Sequence, residues 1–126
     1  MKKRNIALAL AGAAGAAVAV KMLTRASTVD WEDVAQLVPN SSNSHFTHVD
    51  GMRIHYQEFG DTADPVVIML HGYTASSYVW QTAAPMLAAR GFHVLAPDLI
   101  GYGYSDKPRW FEYSIDAQAK IGRAHV

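Results

Sequence analysis

V-V-I-M-L-H-G-Y-T (residues 66–74) sets five consecutive apolar side chains, Val66 to Leu70, directly before His71-Gly72-Tyr73. An unbroken apolar run of this length is what a strand buried on both faces of a sheet requires. Downstream, Val79, Trp80, Ala83, Met86 and Leu87 recur at helical spacing between Ser77 and Arg90, and Gly91 stands where a C-cap glycine belongs. Pro85 lies inside that stretch, so a kink or two short helices are expected, the second starting at the proline. Phe92 to Ala96 is a second short apolar strand, closed by Pro97-Asp98, and a glycine-rich loop follows from Gly101 to Pro108. Strand, helix and strand at crossover length make a βαβ unit, hence a parallel pair with a right-handed crossover.

Upstream of that unit, Phe46 to Val49 and Met52 to Phe59 read as two strands joined through Asp50-Gly51, a hairpin-turn dipeptide. In the second strand Met52, Ile54 and Tyr56 alternate with Arg53, His55 and Gln57, the period of a half-buried strand. Earlier still, Trp31, Val34, Leu37 and Val38 have helical spacing. Asp30 can cap that helix, and Glu32 and Asp33 suit its first turn. Pro39 ends it, and Asn40 to Ser44 is a polar linker. The architecture is therefore α/β: an antiparallel hairpin leading into a parallel sheet.

The chain of 126 residues has room for one domain at most. It has no cysteine, which excludes a disulfide scaffold, a thiolate metal site and a cysteine nucleophile. Its net charge of zero conceals three unlike segments. Five of the 11 basic residues (Lys2, Lys3, Arg4, Lys21 and Arg25) precede residue 26, and no acidic residue does. From Ala26 to Ala119 only four basic residues face all 11 acidic ones, a charge of −7 that argues against nucleic acid as a partner. Lys120 and Arg123 close the chain.

The basic start precedes Ile6 to Val20, fifteen residues without a charged or polar side chain. Residues 1–25 are thus expected to be a signal peptide or an N-terminal membrane anchor, with Ala17-Val18-Ala19 as an A-x-A cleavage site. Cations before the run predict a cytoplasmic N-terminus and a body on the extracytoplasmic side, in contact with the membrane through this segment. At the other end, Lys120-Ile121-Gly122-Arg123-Ala124-His125-Val126 matches one reading frame of a common short-read sequencing adapter. Residues 120–126 are accordingly expected to be foreign, with genuine sequence ending near Ala119 in a truncated product. Residues 26–45 then form an amphipathic helix and linker, and 46–119 the α/β body.

Ligands of open α/β sheets bind outside the carboxyl ends of the strands. Two segments sit there: Leu70-His71-Gly72-Tyr73-Thr74, and the stretch from Pro97 to Pro108. Gly72 permits a tight turn, after which the Tyr73 N–H can point at an anion. The same residues also suit a plain strand-to-helix turn whose N–H is satisfied by protein or water. Gly101-Tyr102-Gly103-Tyr104-Ser105 is not a dinucleotide fingerprint, because Asp106 takes the third glycine's place. Nor is it a nucleophile elbow, since Lys107 ends what should be G-x-S-x-G. Ser105 reads as a loop-forming hydroxyl and Asp98 as a carboxylate accepting loop N–H groups, around the turn glycines Gly101 and Gly103. His45, His48 and His55 do not make a metal cluster: the first two point to opposite faces, and solvated strand positions are expected for all three. Tyr102, Tyr104, Trp110, Phe111 and Tyr113 form an aromatic group that either lines a pocket or packs.

Taken together, Leu70-His71-Gly72-Tyr73, Trp80 and Asp98-Leu99-Ile100-Gly101-Tyr102-Gly103-Tyr104-Ser105-Asp106-Lys107-Pro108 resemble the α/β-hydrolase fold family over about Phe46 to Ala119. The resemblance implies that the Tyr73 N–H is one of two oxyanion-hole donors and that His71 and Gly72 shape its loop. It implies neither metal nor cofactor, and a small-molecule substrate, an ester or another small organic compound. The family's nucleophile elbow, acid and histidine follow in that order downstream of this segment, so the chain as it stands is expected to be inactive. A serine-dependent carboxylic ester hydrolase is the first reading of the parent. An aspartate-nucleophile enzyme similar to haloalkane dehalogenases or epoxide hydrolases is the alternative, although Tyr73 stands where many dehalogenases have asparagine. A non-catalytic binding protein on the same fold is a third reading. With few strands to cover Val66 to Leu70, the isolated chain is expected to aggregate.

Overall fold

A computed structural model describes residues 29–123; the leader of residues 1–25 and the last three residues lie outside them. Four strands form one sheet in the order β1-β2-β4-β3, where β1 is Ser44–Val49, β2 Met52–Phe59, β3 Val66–Ile68 and β4 His93–Pro97. β1 and β2 pair antiparallel through Asp50-Gly51, both at positive φ (49° and 76°), the geometry of a type I′ turn. β2 runs antiparallel to β4 (Tyr56↔Pro97), and β3 parallel to β4 (Val66↔His93). The expected hairpin and βαβ unit are both present.

Between β3 and β4 the chain forms a 3₁₀ turn, Ser77–Trp80, and then a short helix. Within residues 29–123, α1 is Trp31–Val34, α2 Ala83–Ala88 and α3 Ile115–Arg123. The stretch around Pro85 thus splits in two as expected, but α2 starts two residues before the proline. Ring closure at the third residue of a helix removes only an N–H that has no intrahelical acceptor. The segment after Asp30 is also broken: α1 lasts four residues and passes into a 3₁₀ turn, Ala35–Leu37.

One face of the sheet packs on α2, with Phe59, Ala84 and Val94 buried and Trp80, Val67, Met69 and Leu87 against them. On the other face Val49, Met52, Ile54, Ile100 and Ile121 form a second cluster under α3, backed by Phe111. Ile121 belongs to the terminal stretch read above as foreign.

The β3 run, apolar enough to be buried on both faces, is short of cover, as expected from the few strands beside it: Val66, Ile68 and Leu70 are 53%, 42% and 57% exposed. Among the described residues β3 is an edge strand, with only β4 beside it. In β2, conversely, the face expected to meet solvent is closed, since His55 is 0% and Gln57 3% exposed. The cause is residues 31–43, which lie over that face. Trp31 packs on Phe46 and His55, and Gln57 Nε2 donates to the carbonyls of Pro39 (2.8 Å) and Asn40 (3.3 Å).

Candidate active site

Both loops at the carboxyl ends of β3 and β4 border one cavity of about 670 Å³, lined by Leu70, His71, Tyr73, Leu99, Tyr102 and Ile115 among others. It opens on the sheet face that α3 only partly covers. Its wall is mostly apolar, as small-molecule pockets are, with a few polar groups at one end.

His71 joins the two loops. Its Nε2 accepts the Leu99 N–H at 3.0 Å, which leaves Nδ1 to carry the proton and donate to the Gly72 carbonyl at 2.9 Å. The imidazole therefore spans from the end of β4 to the turn after β3, and its ring packs edge-on to Tyr102. Beyond it the chain is open. A Cβ on Gly72 would meet nothing within 4 Å among the described residues, and Thr74 holds a positive φ of 60°. The Tyr73 N–H donates to no group among the described residues. The Tyr73 ring is 87% exposed and touches Tyr102.

Asp98, Ser105 and their glycines lie together at the end of β4. Asp98 is fully buried, and its carboxylate accepts three hydrogen bonds: Ser77 N–H on Oδ1 (2.6 Å), and His55 Nδ1 and Tyr104 N–H on Oδ2 (2.8 Å each). Burial alone pushes this carboxyl up. The bonds from His55, Ser77 and Tyr104, with the His55 charge, outweigh it and hold the group below the usual carboxylate range. The Ser105 hydroxyl donates to the Asp98 carbonyl (2.7 Å) and accepts the His55 N–H (2.9 Å). Gly103 is required by this arrangement: with φ at +48°, any Cβ there would collide with the Asp98 carboxylate. Gly101, at φ +93°, is likewise pressed by the Tyr113 ring. Lys107 braces the loop through the carbonyls of Gly103 and Ser105, and burial pushes its ammonium down against the nearby charges of Asp98 and Asp106.

The residue that local sequence pattern misses is His55. It is boxed by Trp31, Phe46 and Tyr104, with ring centroids 5.1 to 5.3 Å away. Its Nε2 has no partner among the described residues. Alternation along β2 argues for a solvated position, and only the β2–β4 pairing brings it beside Asp98, whose N–H donates to the His55 carbonyl (2.8 Å). His45 lies on the opposite face of the sheet from His55, as the strand period dictates. No group of three or more His, Asp or Glu is placed to hold a metal ion among the described residues.

Comparison with known proteins agrees with this layout. The sequence profile described as alpha/beta hydrolase fold matches residues 65–123. A haloalkane dehalogenase of Mycobacterium marinum is 48% identical over 62 residues, 49% of this chain and 21% of the relative. Epoxide hydrolase A of Mycobacterium tuberculosis is 44% identical over 63 residues, 50% of this chain and 20% of the relative. Among solved structures, the thioesterase domain from the curacin biosynthetic pathway superposes with a TM-score of 0.59 at 34% identity, covering 65% of this chain and 31% of that domain. The chain spans about a fifth of the length of these two curated relatives.

Proposed function

The chain belongs to the α/β-hydrolase fold family, and on that premise we propose that it supplies the oxyanion side of a hydrolase site for small organic substrates. One observation carries the reading: the Tyr73 N–H has no acceptor among the described residues and sits in a loop that His71 fixes against β4, at the rim of the 670 Å³ cavity. A donor held ready for a charge that appears only during reaction stabilises the transition state more than the ground state.

The reaction we assign is carboxylic ester hydrolysis through a serine nucleophile that lies outside this chain. The serine oxygen gives its proton to a histidine, also outside this chain, and adds to the carbonyl carbon; the C=O electron pair moves to oxygen, and the Tyr73 N–H donates to that oxyanion. Collapse expels the alcohol, which takes the histidine's proton, and leaves an acyl-serine. Water, deprotonated by the same histidine, then cleaves it through a second tetrahedral oxyanion at the same donor, and the proton returns to the serine. Likeness to a thioesterase domain supports acyl chemistry. A second reading, with aspartate as nucleophile, is favoured by the haloalkane dehalogenase and epoxide hydrolase relatives. The Tyr73 side chain offers no carboxamide N–H to a halide, which weighs against dehalogenation.

An independent long read across the locus tests the premise that residues 120–126 are foreign, and shows whether serine or aspartate occupies the elbow. Assay of the full-length gene product on p-nitrophenyl acetate and butyrate, beside halide release from 1-bromobutane and opening of styrene oxide, tests the chemistry. Ester turnover with a serine elbow is the expected result; halide or diol formation with an aspartate elbow replaces it with the second reading. Residues 1–25 are proposed to export or anchor the body, and recovery of the gene product in the soluble cytosol would remove that part.

A further inference from the structure

The Asp98-Leu99 dipeptide holds both ends of the loop that carries Tyr73. Leu99 N–H donates to His71 Nε2 at the loop's start (3.0 Å), and Asp98 Oδ1 accepts Ser77 N–H at its finish (2.6 Å). Between those two anchors the Gly72 carbonyl accepts two bonds from within the loop, from His71 Nδ1 at 2.9 Å and from the Ala75 N–H at 3.2 Å. Asp98 in turn is fixed from the opposite side. His55 Nδ1 and Tyr104 N–H occupy Oδ2, and the His55 and Asp98 main chains are joined directly and through the Ser105 hydroxyl.

We propose that His55 and Asp98 are positioning residues: a buried pair, with Asp98 at the cavity wall and His55 behind it, that clamps loop 71–77 and thereby sets where the Tyr73 N–H points. The oxyanion part of this inference rests on the function proposed above. His55 does not line the cavity and is closed off by Trp31, Phe46 and Tyr104, so it acts only through Asp98. Aim matters because a misplacement of about 1 Å at a reacting group costs on the order of 10²-fold in rate.

Ser77→Pro isolates the clamp. Ser77 opens the 3₁₀ turn, and Ser76 before it is already extended (φ −153°, ψ 179°), the conformation a following proline demands. The substitution therefore deletes the N–H that Asp98 accepts while leaving the local backbone in place; Ser77→Ala keeps the N–H and serves as control. In the full-length gene product, amide hydrogen exchange is followed at Ala75, and kcat and KM are measured on p-nitrophenyl butyrate, with thermal melting run in parallel. The expected result for Ser77→Pro is Ala75 exchange at least about tenfold faster, with kcat lower by about 10- to 100-fold and KM within about threefold. Ser77→Ala should exchange like wild type. His55→Leu should show the same loosening, and His55→Asn, whose amide nitrogen stands near the place of Nδ1, should restore it. Unchanged Ala75 exchange in Ser77→Pro overturns the clamp whatever the activity does. Faster exchange with unchanged kcat keeps the clamp and overturns the oxyanion reading instead. A His55→Leu product that does not fold leaves Ser77→Pro and the His55→Asn comparison to decide.

Discussion

β3 and β4 lie side by side, yet their carboxyl ends are built in opposite ways. At the end of β4 each carboxylate oxygen of Asp98 is bonded, the Ser105 hydroxyl both donates and accepts, and Lys107 ties two further carbonyls. At the end of β3 the Tyr73 N–H has no acceptor among the described residues, and Leu70 and Tyr73 are mostly exposed. Buried polar groups are costly unless paired, so a saturated loop is one the fold keeps for its own stability. An open N–H beside an apolar cavity is available to a ligand. The contrast separates brace from site more cleanly than residue type does, because glycine, tyrosine and a hydroxyl residue occur in both loops.

The comparison breaks most severely if the braced end proves dispensable. Asp98→Ala strands His55 Nδ1 and the N–H groups of Ser77 and Tyr104, and Gly103→Ala drives a methyl group into the carboxylate. Each should cost about 3–5 kcal/mol in urea denaturation of the full-length gene product, the range seen when one partner of a buried pair is removed. A loss under about 1 kcal/mol would show that the bond network carries little stability. At the open end, Tyr73→Pro deletes the main-chain donor. It should lower kcat/KM by about 10²–10³ while moving stability far less, because it removes no bond made among the described residues. A stability loss comparable to that of Asp98→Ala would erase the distinction between the two ends.

Acid gives a smaller effect on the same contrast. Asp98 sits below the ordinary carboxylate range, so its contribution is fully present above about pH 4, where the unfolded carboxyl is also ionised. It is lost as pH falls through the lowered folded value. Amides of Ser77 and Tyr104 should therefore lose exchange protection as pH falls below about 4, and Asp98→Asn should flatten that dependence. Unaltered acid behaviour in Asp98→Asn would mean that another group controls this limb.

The same asymmetry explains what the sequence could and could not disclose. Asp50-Gly51 encodes its turn locally, and the apolar runs at 66–70 and 92–96 encode strands, so hairpin and βαβ unit are legible. The cover on each face is not local. Val66 to Leu70 has the composition of a strand wrapped on both sides, but the described residues supply only β4 beside it. His55 sits at a position that alternation assigns to solvent, and it is buried because Trp31, 24 residues earlier, folds back over it. The pattern D-x-x-G-x-G-x-S places Asp98 and Ser105 in one loop. Their meeting with His55 and Ser77 depends on β2 and β4 becoming neighbours, which no spacing within the loop records.

The smallest expected effect tests the open end most narrowly. If Tyr73 acts through its main chain, its phenol should be replaceable. The ring is exposed and meets Tyr102 edge-on with centroids 6.5 Å apart, a contact at the outer limit of aromatic pairing. Tyr73→Phe keeps the N–H, the ring and that contact, and removes only the hydroxyl. It should leave kcat within about twofold of wild type, against the loss of about 10²-fold or more for Tyr73→Pro at the same position. A large loss in Tyr73→Phe would assign the chemistry to the phenol and make the open N–H incidental. Equal, small effects of both substitutions would move the oxyanion donor elsewhere in the full-length protein.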